Sequence, residues 1–346
     1  MIRNTSPGFQ QVLCFALVTA CISLHSQAQS RVLLAVSKVD HNLVIVDPAT
    51  LKVTGRVPVG PDPHEIAVSA DGGTAYVSNP GYGSFHEINV INLGTRQALP
   101  NIDTKPLLGP HGLSFINQKL YFTAQGSKAV GRYDVQTAAL DWSMGTGQNT
   151  THMIYVSPDE HRIITTNVES GTISIFDNVL LQPAMPPTGV MPAAAKPRMD
   201  WLQTLIAVGK GDEGFDVSPN AQELWTVKPD GGIAIIDLKG KKLADNVESG
   251  VLGLHRLLFT PDGTKVLIVS VRTGDLLVYD AKTRREIKRF YIGHGASMLM
   301  DAEGQRAFIS CTPDNYIAVF DLRTLKVTNH LDIGGRPDGL AFSLKH

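Results

Sequence analysis

Short segments in which apolar and polar residues alternate run through this chain, and the alternation is clearest between positions 64 and 78. Two short strands there each have one apolar face, formed by Ile66 and Val68 and then by Ala75 and Val77. An Asp-Gly pair between them is typical of a hairpin turn. Similar segments begin at His111, His152, Glu213, His255 and Ala296. The pattern therefore predicts a repeat protein.

Each repeat contains four predicted strands, and the full repeats begin near positions 61, 110, 149, 211, 252 and 294. The N-terminal stretch has only three, at Arg31–Ser37, Asn42–Asp47 and Lys52–Val59, and lacks a first strand. Residues 337–343 match that missing strand. The fold class is therefore predicted to be all-β: a seven-bladed β-propeller of four-stranded blades, closed into a ring by the C-terminal strand.

One repeat is interrupted by residues 178–198, which are rich in Pro and Ala and show no strand period. They fall between the third and fourth strands of their blade, so we expect an exposed loop at the bottom of the ring rather than a second domain. Residues 29–346 are then one propeller domain.

The first 28 residues resemble a secretory signal peptide, because Arg3 precedes a short apolar run that ends in Ser26-Gln27-Ala28. The run is too short to span a bilayer. We expect an exported protein, periplasmic or secreted. A lipid anchor at Cys21, in the sequence Val-Thr-Ala-Cys, is the less favoured option.

The composition narrows the function classes. The chain has 346 residues, 43% of them hydrophobic, and a net charge of −1, which suits a soluble core and argues against a nucleic-acid partner. We expect no transmembrane segment, a monomer, and a small molecule or a protein as the partner on the top face.

One position of the repeat carries most of the candidate chemistry. Aligned by their first strands, the seven units place these residues, here called the register residues, in one ring around the channel entrance: His64, His111, His152, Glu213, His255, Ala296 and Asp338. Imidazoles and carboxylates are ligands for divalent metals, so the four histidines are candidate metal ligands, and Glu213 or Asp338 is a candidate catalytic base. The metal's identity stays open, and so does a hydrated ring of purely structural histidines.

Other residues on the predicted top face are candidate ligand contacts. The glycine-rich loop 79–86 brings Tyr82 and His86 to that face. His294 lies two residues before its register position. Arg256 and Arg272 are candidates for holding an anion.

The repeats, as in HEIAVSADGGTAYVSN, resemble those of the YVTN family of exported bacterial β-propellers over residues 31–346. The resemblance implies the fold but not one activity, because this fold serves enzymes and binding proteins alike. Three functions stay open: a site for a divalent metal or small ligand that acts as a metal-dependent enzyme, a non-catalytic binding scaffold, and a lactonase-like hydrolase. The stretch LHRLLFTPDG resembles bacterial sugar lactonases, although an acidic residue expected one strand later is missing.

Overall fold

The computed structural model describes Met1 and residues 31–344. The predicted signal peptide, residues 1–28, and its Cys21 lie outside the described residues apart from Met1. Residues 31–344 form seven antiparallel four-stranded sheets, which confirms the all-β seven-bladed propeller. Within this part of the chain, no helix has the length and apolar character needed to cross a bilayer.

The blades are numbered I to VII in chain order, and their strands are given from the channel outwards. The bounds in blades I to IV are: β28 Pro337–Leu344, β1 Arg31–Ser37, β2 Asn42–Asp47, β3 Lys52–Pro58; β4 Ile66–Val68, β5 Thr74–Asn79, β6 Glu87–Asn92, β7 Gln97–Asp103; β8 Pro110–Ile116, β9 Lys119–Ala124, β10 Ala129–Asp134, β11 Ala139–Gly145; β12 Thr151–Val156, β13 Arg162–Asn167, β14 Thr172–Leu181, β15 Arg198–Ala207.

The remaining strands complete the ring. The bounds in blades V to VII are: β16 Phe215–Val217, β17 Glu223–Val227, β18 Gly232–Asp237, β19 Lys242–Glu248; β20 Leu254–Phe259, β21 Lys265–Ser270, β22 Asp275–Asp280, β23 Arg285–Tyr291; β24 Ser297–Met300, β25 Arg306–Cys311, β26 Tyr316–Asp321, β27 Lys326–Leu331. Short 3₁₀ turns cover Gly81–Gly83 and Thr312–Asp314.

The two ends of the described chain meet in blade I. Strand β28 pairs antiparallel with β1, with Leu344 opposite Arg31 and Leu340 opposite Ala35. The predicted closure by the C-terminal strand is thus confirmed, and the pairing covers the inner edge of β1.

Neighbouring blades pack face to face through large apolar side chains. Trp225 of blade V is fully buried, and its ring lies 5.8 Å from that of Phe259 and 6.4 Å from that of Tyr279 in blade VI. Because each inner blade strand is covered on both faces, its residues are apolar in runs rather than in strict alternation. This core lies between the blades and leaves the axis free for polar side chains.

The insertion in blade IV is shorter than the sequence pattern indicates. Strands β14 and β15 stay paired as far as Leu181 opposite Arg198, so the expectation of a loop over residues 178–198 is wrong at both ends. Pro183 and Pro197 lie near the two ends of the irregular part, where the strand pairing stops. Proline has no backbone N–H and cannot donate a hydrogen bond to a neighbouring strand. The loop proper is residues 182–197, and it leaves from the bottom of the ring.

Candidate functional site

A cavity of about 710 Å³ occupies the top of the central channel. All seven register residues line it, together with Arg256 of strand β20, and the rest of its wall comes from loops that precede first strands or connect second to third strands. The first strands run downwards from this end, so both kinds of loop belong to the top face. The antiparallel topology therefore gathers residues that are far apart in the sequence.

Glycine fixes how closely the inner strands approach one another. Gly112, Gly214 and Gly339 each follow a register residue, and a Cβ atom on any of them would lie within 2.5 Å of the carbonyl oxygen of the next blade's register residue. A side chain at these positions would push two blades apart at the rim of the cavity.

Hydroxyl groups on second strands hold the register backbone in place. Thr123 Oγ1 accepts the Gly112 N–H (2.8 Å) and donates to the His152 carbonyl of the next blade (2.5 Å). Thr166 Oγ1 repeats the arrangement one blade further and donates to the Glu213 carbonyl (3.1 Å). Each hydroxyl thus joins two blades directly behind the cavity wall.

Three histidines form a continuous arc on one side of the cavity. The ring centroids of His64 and His111 are 4.8 Å apart, and those of His111 and His152 are 3.8 Å apart. Burial lowers the pKa of His111 and His152 well below the ordinary value, and nearby cationic groups lower it further. Both imidazoles are therefore neutral at pH 7. Their Nδ1 atoms are buried and make no hydrogen bond to a described residue.

Glu213 lies between two imidazoles. Its Oε2 is 3.0 Å from Nδ1 of His255 and 3.9 Å from Nε2 of His152. Burial lowers the pKa of His255 even though the Glu213 carboxylate opposes this shift. The Glu213 carboxylate favours the neutral tautomer of His255 that carries its proton on Nδ1, and in that tautomer Nε2 keeps the lone pair and can accept a proton.

A second charged group lies on the other side of the cavity. Lys38 Nζ contacts Nε2 of His64 and forms ion pairs with Asp62 (3.4 Å) and Asp338 (3.3 Å). Burial opposes the charge of Asp62, but hydrogen bonds and the nearby cations, with His64 the strongest, lower its pKa to about 2. Asp338 is therefore engaged in an ion pair, which makes it a poorer candidate base than its register position suggests.

An ion pair crosses the channel at this level. The guanidinium of Arg256 in blade VI donates to Glu65 Oε1 in blade II at 2.5 Å, although these blades are not neighbours. The two side chains are only 12% and 14% exposed. Burial would lower the pKa of Arg256, but the surrounding carboxylates, led by Glu65, raise it, so the cation persists.

Four further sequence candidates have different positions. Tyr82 is fully exposed and lines the mouth of the cavity. His86 contacts Asp103 on an outer strand through Nδ1 at 2.9 Å, and His294 contacts Asp314 in the same way and at the same distance. Neither histidine lines the cavity. Arg272 is exposed and does not line the cavity either.

Sequence reasoning missed Lys38, Asp62, Glu65 and Arg336. Three of them, all except Glu65, line the cavity. Lys38 lies in a loop between second and third strands, while Asp62 and Arg336 each lie two residues before a register residue. The strand directions place these loops on the top face, so topology was a usable signal for them. Across residues 31–344, no group of three His, Cys, Asp or Glu side chains is already arranged to hold a metal ion.

No family model matches this chain, and no curated protein is similar to it in sequence. Membership of the YVTN family therefore stays a prediction. Among solved structures, a functionally unknown protein of Desulfotomaculum acetoxidans is 13% identical, with 91% of this chain and 99% of that chain covered and a TM-score of 0.72. A Bacteroides fragilis protein provisionally described as a 6-phosphogluconolactonase is also 13% identical, with coverages of 92% and 99% and a TM-score of 0.69.

A third solved structure is the dihydro-heme d1 dehydrogenase NirN in complex with DHE. It is 13% identical, with 90% of this chain and 74% of that chain covered and a TM-score of 0.61. At identities this low the similarity shows a shared propeller fold alone, and the two activities named for these neighbours differ from each other.

Proposed function

We propose that this propeller hydrolyses a small ester, most simply a lactone, in the cavity at the top of its channel. The observation that carries the proposal is the 3.0 Å contact between Glu213 Oε2 and His255 Nδ1. A carboxylate that orients a neutral imidazole is the arrangement of a general base for water. Arg256, the next residue in the chain, adds a buried positive charge to the same wall.

In the proposed reaction, His255 Nε2 takes a proton from a water molecule as the water oxygen bonds to the carbonyl carbon. Glu213 stabilises the imidazolium that forms. The positive charge of Arg256 stabilises the oxyanion. The ester C–O bond then breaks, and the imidazolium returns its proton to the departing alkoxide, so a lactone and water give a hydroxy acid.

Two further points support this reaction class. The cavity is large enough for a sugar-sized ring. The structural neighbour from Bacteroides fragilis is provisionally described as a 6-phosphogluconolactonase.

A panel of lactones and small esters, followed by proton release in a weakly buffered solution, tests the proposal. His255→Gln and Glu213→Gln should each lower kcat/KM by about 10²–10⁴-fold, the usual contribution of general-base catalysis. His294→Gln is the matched control, because His294 pairs with a carboxylate outside the cavity; it should stay within twofold. Hydrolysis of no compound, or equal loss in the control, would favour the binding scaffold instead.

A divalent transition metal at the same place is the second candidate, and a specific geometry favours it. Nitrogens of His152 and His255 lie 3.9 and 3.0 Å from one oxygen of Glu213. Tetrahedral ligands about 2.1 Å from zinc lie roughly 3.4 Å apart, so a small shift would bring the three into one coordination sphere. His111, whose ring centroid lies 3.8 Å from that of His152, is a candidate fourth donor.

Elemental analysis of protein purified without chelators, followed by zinc titration, tests this candidate. One equivalent of metal in wild type that is lost in His152→Gln, but kept in His294→Gln, supports it. Lactone hydrolysis that survives a strong chelator would separate the metal from the reaction.

A further inference from the structure

The cavity lining carries equal numbers of positive and negative side chains, and one more carboxylate lies next to it. Its lining contains three cations, Lys38, Arg256 and Arg336, and three carboxylates, Asp62, Glu213 and Asp338. A fourth carboxylate, Glu65, lies directly on Arg256.

Both buried cations already have anionic partners. Lys38 lies within 3.4 Å of two carboxylates, and Arg256 lies 2.5 Å from Glu65. Arg336 is exposed at the rim and makes no ion pair with a described residue. An anionic group of a ligand would thus meet no buried cation without a carboxylate partner, and Glu65 already compensates part of the charge that Arg256 supplies to the oxyanion of the proposed reaction.

Glu213 differs from the other carboxylates near the cavity, because it forms no ion pair with a Lys or Arg side chain among the described residues. Its contacts are with the imidazoles of His152 and His255 rather than with a Lys or Arg side chain. The carboxylate charge therefore faces the cavity uncompensated by a Lys or Arg ion pair among the described residues. A phosphate or carboxylate group of a ligand would be repelled, while a hydroxyl or an ammonium group would be attracted.

We infer that the site selects uncharged or cationic lactones and rejects phosphorylated ones. This inference rests on the proposed function, and it narrows the substrate class that the Bacteroides fragilis neighbour suggests. The selecting groups are the Glu213 carboxylate, which has no Lys or Arg partner among the described residues, and the Lys38 ammonium, which Asp62 and Asp338 neutralise.

The first test compares D-glucono-1,5-lactone with its 6-phosphate. Wild type should prefer the uncharged compound by at least 100-fold in kcat/KM. Equal or faster hydrolysis of the phosphorylated compound would overturn the inference. If neither compound is hydrolysed, the result counts against the proposed function. The charge preference of the cavity is then decided by the second test, which does not require activity.

The second test uses calorimetry with inorganic phosphate as the probe. Wild type should bind phosphate more weakly than about 10 mM. The double variant Asp62→Asn, Asp338→Asn releases Lys38 and should bind at least tenfold more tightly, an effect that Lys38→Met should remove. Asp314→Asn, a carboxylate outside the cavity, should change nothing. Submillimolar binding by wild type, or no gain in the double variant, would contradict the inference.

Discussion

Breaking the ion pair between Glu65 and Arg256 should destabilise the whole ring. Each side chain is nearly buried, and the pair connects blades II and VI across the channel. Glu65→Gln removes the closest carboxylate and leaves the guanidinium buried without it. Removing one partner of a buried pair typically costs about 3–5 kcal/mol, because the remaining charge stays desolvated.

The expected change in melting temperature follows from the chain length. An unfolding entropy of about 2.1 cal/mol/K per residue gives roughly 0.7 kcal/mol/K for about 310 described residues. A loss of 3–5 kcal/mol then lowers the melting temperature by roughly 4–7 °C. The double variant Glu65→Gln, Arg256→Met removes both charges and should recover a large part of this loss, because no unpaired ion remains.

Denaturant unfolding of the wild type, the two single variants and the double variant measures the coupling directly. The control is Glu286→Gln, which breaks the partly exposed pair with Arg289 and should cost less than about 1 kcal/mol. A cost below 1 kcal/mol for Glu65→Gln, with additive effects in the double variant, would refute the reasoning.

Three further outcomes are expected. Replacing residues 182–197 by a Gly-Ser linker should leave the melting temperature, measured by calorimetry, within about 2 °C of the wild-type value. Replacing residues 178–198 should lower the melting temperature, because paired strand residues are lost. Burial lowers the pKa of His111 and His152, so the contribution of these two rings to stability should be complete above about pH 6.5 and should fall below it by up to about 1.4 kcal/mol per pH unit for each ring, measured by denaturant unfolding. Burial raises the pKa of Asp212 to about 8, so the contribution of this one group should fall from about pH 4 to pH 8, and the stability of Asp212→Asn relative to wild type should increase across that range in the same assay.

The fold and the ring of register residues could be predicted because the same sequence pattern occurs in several repeats. Each copy carries the same alternation and turn, so errors in one unit are corrected by the others. The ring position then follows from geometry, since the start of every inner strand lies at the axis. All seven residues aligned at that position line the cavity.

The insertion in blade IV shows where local pattern fails. Composition marks residues 178–198 as irregular, yet Val179–Leu181 continue β14 because Arg198 and its successors provide a partner strand. Whether a residue at the edge of a loop pairs in a strand depends on the residues that follow the loop. A local stretch of sequence does not include those residues.

Contacts between distant blades were also beyond the sequence. Glu65 and Arg256 are 191 residues apart. Each directly follows a register residue, but the repeat pattern does not indicate that these two side chains pair across the channel. His294 illustrates the opposite error: a position two residues from the register suggests a cavity contact, but Asp314 binds both the backbone N–H and Nδ1 of this residue. Side-chain direction in these loops is set by such local partners.

The dependence of kcat/KM on pH, measured on an uncharged lactone for wild type and His255→Gln, tests the proposed reaction most directly. If the imidazole of His255 is the general base, kcat/KM of wild type should be constant near pH 7.5 and fall tenfold per pH unit below an apparent pKa that lies under about 6.5, because burial lowers the pKa of this group. His255→Gln should lose both this acidic limb and most of the rate. An unchanged acidic limb in His255→Gln, or a wild-type rate that does not vary between pH 4.5 and 7.5, would contradict a catalytic role for His255.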